Sequence, residues 1–157
     1  MERGQYPKRE GGGMRRQMIL SALVLGGCII KAGSGVADGA VAIGIAPGGV
    51  IHGYAAGSSQ NLPNEDEARR GAIRACRKSY SSSAAAQERC EVVSTFRNKC
   101  VSFAVDPENG TPGAGWAVAE TQVDADAEAL NRCRSTAGTA RQSFCVVTDR
   151  HCDGTAR

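Results

Sequence analysis

The sequence predicts an α+β domain: two duplicated β-α-β-like halves place two helices on a largely antiparallel sheet, and disulfides staple the whole. Three observations carry this. The phrase AIRACR at 72–77 returns as ALNRCR at 129–134, each inside a helical pattern. Short alternating or continuous apolar runs flank both phrases, as half-buried and buried strands do. Six cysteines (Cys76, Cys90, Cys100, Cys133, Cys145 and Cys152) follow a leader-like N-terminus. An even cysteine set in an exported chain reads as disulfides.

Residues 1–37 read as the leader. Arg15 and Arg16 precede the apolar run MILSALVLGGCII at 18–30, the charged and apolar parts of a secretory signal. The run falls short of the roughly 20 apolar residues that span a bilayer. Cleavage after Ala37 would put Gly35 and Ala37 at the small positions. Met14 opens an ordinary signal peptide, 14–37, so that 1–13 reads as an over-long start. A rival reading takes LGGC at 25–28 as a lipobox with Cys28 lipidated, although Ile29 and Ile30 make a poor exposed tether. The leader holds six basic and two acidic residues, whereas 38–157 hold thirteen and fourteen. Bulk charge therefore gives nucleic-acid binding no support. Membrane attachment would run only through the signal peptide or a lipid anchor.

Residues 38–157 read as a single exported domain. AVAIGIA at 40–46 and VIHGYAAG at 50–57 flank PGG at 47–49 as a hairpin. Asn64 caps the first helix, with Glu65, Asp66 and Glu67 where the helix dipole favours acids. Ala68, Ala72, Ala75, Cys76 and Ser79 share its inward face. Arg69, Arg70, Arg74, Arg77 and Lys78 occupy the rest, with Glu65–Arg69 and Asp66–Arg70 at ion-pair spacing. Strands follow at 91–96 and 100–105, then the turn-rich DPENGTPG at 106–113 and a strand at 115–120. Asp124 caps the second helix, whose stripe is Ala129, Leu130, Cys133 and Ala137; a strand at 143–148 ends the order β-β-α-β-β-β-α-β. The copies span about 50–105 and 113–152, matching Gly53-Tyr54 to Gly115-Trp116.

Large side chains are few, and alanine and glycine fill much of the domain. Disulfides, worth about 2–4 kcal/mol each, would offset part of that shortfall. If the repeat is structural, equivalent cysteines form equivalent bonds. That favours Cys76–Cys90 and Cys133–Cys145, with Cys100–Cys152 joining the halves. A scheme tying the helices to Cys100 and Cys152 stays open.

Little points to chemistry. The sequence contains no C-x-x-C, and the adjacent His151, Cys152 and Asp153 do not readily face one ion. GYAAGSS is not a nucleophile elbow, and the glycines at 44–53 are not followed by the lysine and helix of a phosphate loop. No catalytic residue, metal ligand or cofactor is assigned. The expected function is a non-enzymatic interaction or effector-type role with an unidentified macromolecular partner, in the envelope or outside the cell. Arg69, Arg70, Arg74, Arg77 and Lys78 would be its anion- or partner-binding face. Two rivals stand beside it: an envelope enzyme with a site near His52, Tyr54 and Trp116, and a structural lipoprotein anchored at Cys28.

Gly53-Tyr54-Ala55, Ala72-Ile73 with Cys76, and Cys90 with Val92-Val93, Phe96, Asn98 and Cys100 form an ordered pattern, to which GWA at 115–117 and the second cysteine helix add. In these residues the chain resembles DUF4189, a family of small exported bacterial proteins, over roughly residues 38–153. The resemblance implies an exported, disulfide-bearing α+β domain. It implies no activity and carries over no catalytic residue.

Overall fold

The structure, a computed structural model, describes residues 38–79 and 82–157. The leader, the choice of start and Cys28 lie outside the described residues. β1 (Asp38–Ile45) leads through a loop with a 3-10 turn at Val50–His52 into β2 (Tyr54–Leu62). α1 (Glu65–Arg77), the short α2 (Ala84–Gln87) and β3 (Glu91–Phe96) complete the first half. The second half is β4 (Cys100–Val105), β5 (Ala114–Ala119), α3 (Gln122–Ala137) and β6 (Val146–Cys152).

The strands form two antiparallel three-stranded sheets, ordered β2-β1-β3 and β5-β4-β6, rather than one. Each half therefore has the same topology, with its first strand in the centre. The repeat units are 38–96 and 100–152, so β1 belongs to the first copy and β4 to the second, a shift from the boundaries read off the phrases. The linker Arg97-Asn98-Lys99 carries the chain from one sheet to the other, with Asn98 left-handed at φ 51°.

Alternation along the central strands explains the layers. Ala40 and Ala42 of β1 pack under α1 with Ala68, Ala72 and Cys76, while Val41 and Ile43 face the other sheet. On β4, Ala104 packs with Ala129 and Cys133 of α3, and Val101 and Phe103 join Val41, Ile43 and Phe96 between the sheets. The result is helix, sheet, sheet, helix. Small residues lie under the helices and large ones between the sheets. Gly57 and Gly115 show how close each helix comes: a Cβ there would lie 2.2 Å from the Cys76 backbone nitrogen and 2.5 Å from that of Cys133.

These contacts fix the equivalence of the halves. Ala42 pairs with Gly57 and Val92, as Ala104 pairs with Gly115 and Val147. Gly57, not Gly53, thus matches Gly115, and Trp116 corresponds to Ser58 rather than Tyr54. The disulfides are Cys76–Cys90, Cys133–Cys145 and Cys100–Cys152, the pairing that equivalence of the copies favours. The first two tie each helix to the start of the following strand. The third bridges directly opposed residues of β4 and β6, so it closes the second sheet and does not join the halves.

Other expectations need adjustment. Asn64 caps α1, accepting from the Glu67 N–H at 2.9 Å. α3 is capped by Thr121, not Asp124. Thr121 Oγ1 accepts from the Asp124 N–H at 3.2 Å and donates to its carboxylate at 2.7 Å. Val50–His52 and Gln142–Phe144 are 3-10 turns, so the second strand begins at Tyr54 and the last at Val146. Ala75 and Ser79 are half-buried rather than part of the sealed stripe of α1.

Candidate functional site

The basic face of α1 stands free of the sheet. Arg69, Arg70, Arg74, Arg77 and Lys78 are all exposed, on the side away from Ala68, Ala72 and Cys76. Arg69 reaches Glu65 at 3.3 Å. Asp66–Arg70 does not form, and among the described residues the other four cations make no ion pair. α3 treats its charges differently. Arg132 pairs with Glu128 and stands over the Trp116 ring at 5.5 Å. Asp126 bonds the buried Ser102 hydroxyl, accepts from Gln122 at 2.8 Å and pairs with Arg150 at 3.0 Å.

A second feature lies where the β1–β2 and β4–β5 loops meet. Together they enclose a cleft of about 530 Å³ lined by Val50, Ile51, His52, Tyr54, Ser83 and the segment Val105–Thr111, among others. Of the three residues read as an enzyme site, His52 and Tyr54 reach this cleft. Trp116 does not: it lines a separate groove with Ile43, Ile45 and Val93. The reason is the four-residue offset between Tyr54 and the true counterpart of Trp116. Burial pushes the Tyr54 hydroxyl well above its ordinary pKa, and its oxygen is buried with no hydrogen-bond partner. Such a group costs about 1–3 kcal/mol. His52 is exposed and pairs with no carboxylate among the described residues. Asp106, by contrast, is sealed from solvent and held in a fork by Arg141, at 2.7 and 2.5 Å. The Arg141 hydrogen bond, aided by the Glu108 N–H, lowers its pKa to about 2 against the cost of desolvation.

The sequence reading missed a third feature. Asp153, fully buried, accepts from the backbone N–H of Asn61 at 2.6 Å and of Asn98 at 3.1 Å. Asn61 and Asn98 are the two described non-glycine residues with positive φ, at 56° and 51°. Asparagine tolerates that region better than most residues. Gly154 N–H returns a bond to the Asn61 side chain at 2.8 Å. One carboxylate thus ties the end of β2, the linker between the sheets and the C-terminal tail. The only local signal is a lone Asp behind a cysteine. Its partners are 55 and 92 residues away.

His151 lies near Asp149 at 2.9 Å, Cys152 is in a disulfide and Asp153 holds backbone, so the three adjacent residues serve separate purposes. Among the described residues no group of three or more His, Cys, Asp or Glu side chains is arranged to hold a metal ion.

A family model for a domain of unknown function, DUF4189, matches residues 39–152. The chain belongs to the DUF4189 family. The match runs from β1 to the end of β6 and takes in both halves, so the DUF4189 domain is the whole repeat and not one copy. No curated protein and no solved structure matches the chain. The three disulfides of this DUF4189 domain fit an oxidising compartment. No helix among the described residues is long and apolar enough to cross a membrane.

Proposed function

We propose that this DUF4189 domain is an exported, non-enzymatic interaction domain that docks an acidic protein surface on the basic face of α1. The observation that carries the reading is the contrast between the helices: α3 pairs most of its charges within the domain, and among the described residues Arg70, Arg74, Arg77 and Lys78 of the α1 face make no ion pair. Guanidinium groups suit carboxylate partners because they bind them through two parallel hydrogen bonds. Insertion into lipid has less support, because the apolar face of α1 is alanine and is turned to the sheet. Export is supported by the leader pattern at 14–37 and by the staples. An anchor at Cys28 would set where the domain is held. The enzyme reading built on His52, Tyr54 and Trp116 loses its geometry, because Trp116 lies in a different groove.

Titration of the oxidised chain with fluorescent poly-L-glutamate tests the docking face. R70Q/R74Q/R77Q should weaken binding at least tenfold, while single-stranded DNA and anionic vesicles bind less well than the polypeptide. Equal binding by the triple variant, or a preference for DNA or vesicles, would count against an acidic protein partner. Mass spectrometry of the mature N-terminus tests export separately: a start at Asp38 or a lipidated Cys28 supports it, and an uncleaved chain in the cytoplasm opposes it.

A further inference from the structure

The cleft between the two hairpin loops differs in sign from the α1 face. Among the described residues its charged lining side chains besides His52 are Asp106 and Glu108, with no lysine or arginine. Both carboxylates share the guanidinium of Arg141, which also stands 4.5 Å over the Phe144 ring. Two carboxylates against one cation leave a net negative group; Asp106 is sealed behind it, and the Glu108 side chain, 63% exposed, carries its charge at the mouth. Val50, Ile51, Val105 and Pro107 supply an apolar wall. Tyr54, also on the lining, buries a hydroxyl that has no partner. A volume of about 530 Å³ suits a small organic molecule.

We propose that this cleft is a binding site for a small organic amine, its ammonium group set against Glu108 and its apolar body on the Val50–Pro107 wall. Selectivity follows from charge. A cation is drawn to Glu108, and an anion of the same shape meets repulsion there, because the Arg141 guanidinium is already shared between two carboxylates. The site is independent of the docking face on α1, so either can fail alone.

The test uses two probes of matched size and opposite charge, phenethylamine and phenylacetate, titrated to millimolar concentration into the oxidised full chain. Amide resonances of Gly48, Gly53, Gly110 and Gly113 report on the two loops. Phenethylamine should shift them saturably, and phenylacetate should bind about tenfold more weakly or not at all. E108Q changes an exposed side chain, so its spectrum elsewhere should match the parent while the preference for the amine falls away. Equal binding of the two probes, saturable shifts elsewhere, no shifts at all, or an unchanged amine preference in E108Q would each overturn the proposal.

Discussion

α1 and α3 hold equivalent places in two sheets of the same strand order, yet their outer faces have diverged. What the scaffold needs is kept in both: an oxygen-bearing cap, a buried alanine stripe, a glycine opposite the cysteine turn and a disulfide to the next strand. What differs is outside. α3 bonds Arg132, Asp126 and Glu128 into its own half, and the α1 face holds four cations that make no ion pair among the described residues. Each half therefore serves as a control for the other. A feature present in both is structural, and a feature confined to one needs its own explanation. The cleft loops show the same divergence. Asp106, clamped by Arg141, stands where the first half has Gly44, whose added Cβ would lie 2.1 Å from the Ala86 carbonyl oxygen.

The comparison breaks most visibly at the disulfides. Cys100–Cys152 encloses 52 residues and has no counterpart in the first sheet, so C100A/C152A should cost about 4 kcal/mol by chain entropy. C76A/C90A and C133A/C145A enclose 14 and 12 residues and should each cost about 3 kcal/mol, as equivalent staples must. Urea unfolding of the three double variants measures this; a large gap between the last two would show that the halves are not mechanically alike. D153N keeps the shape of the lock at the far end but trades one acceptor oxygen for an NH₂ group. It should cost about 2 kcal/mol, with faster amide exchange at Asn61 and Asn98.

Smaller effects sharpen the match between the copies. G57A and G115A each push a methyl group into helix backbone and should each destabilise by about 1–3 kcal/mol. G53A has another cause, a φ of 149° and the Ser83 hydroxyl, and should leave the α1 amide shifts unchanged. Acid acts on an ion pair at each end of the scaffold: Arg97 holds the Asp38 carboxyl of β1 below its ordinary pKa, and Arg141 does the same for Asp106. The Asp106 pKa is lowered by Arg141 to about 2, below the roughly 3.9 of an unfolded aspartate, so its stabilisation is complete above pH 4 and is lost as pH falls towards 2. Amide exchange measured across that window should rise around Asp106 and Arg141, where the first half has Gly44. Unchanged exchange there down to pH 2 would deny the ion pair this role.

Much of the build was legible. Cys76 and Cys133 sit on alanine faces in matching phrases, and equivalence then selects their partners. The division into two sheets was not. Alternating Ala40-Val41-Ala42-Ile43 says that both faces of β1 are buried, and one sheet between other layers would read the same way. The slip that joined Tyr54 to Trp116 spans four residues. An even shift keeps every side chain on its face, so alternation cannot reject it. Phe144 extends an apolar run in the sequence but lies exposed in a 3-10 turn with the Arg141 guanidinium over its ring, a contact from outside the run. The Asp153 lock depends on residues far apart in sequence, beyond any local pattern. Of the candidate surfaces, the α1 cations were readable from helical spacing, but their lack of partners emerges only beside α3.

The central claim is that the unpaired cations of α1, and not basic charge in general, form the docking face. Its most direct test is the salt dependence of poly-L-glutamate binding by the parent, by R70Q/R74Q/R77Q and by the α3 control R132Q/R134Q, with unfolding midpoints measured alongside. Exposed substitutions should move stability by no more than about 0.5 kcal/mol. The account predicts that the α1 variant loses both affinity and most of its salt slope, while the α3 control keeps the parent's values. Equal losses from the two helices would contradict it.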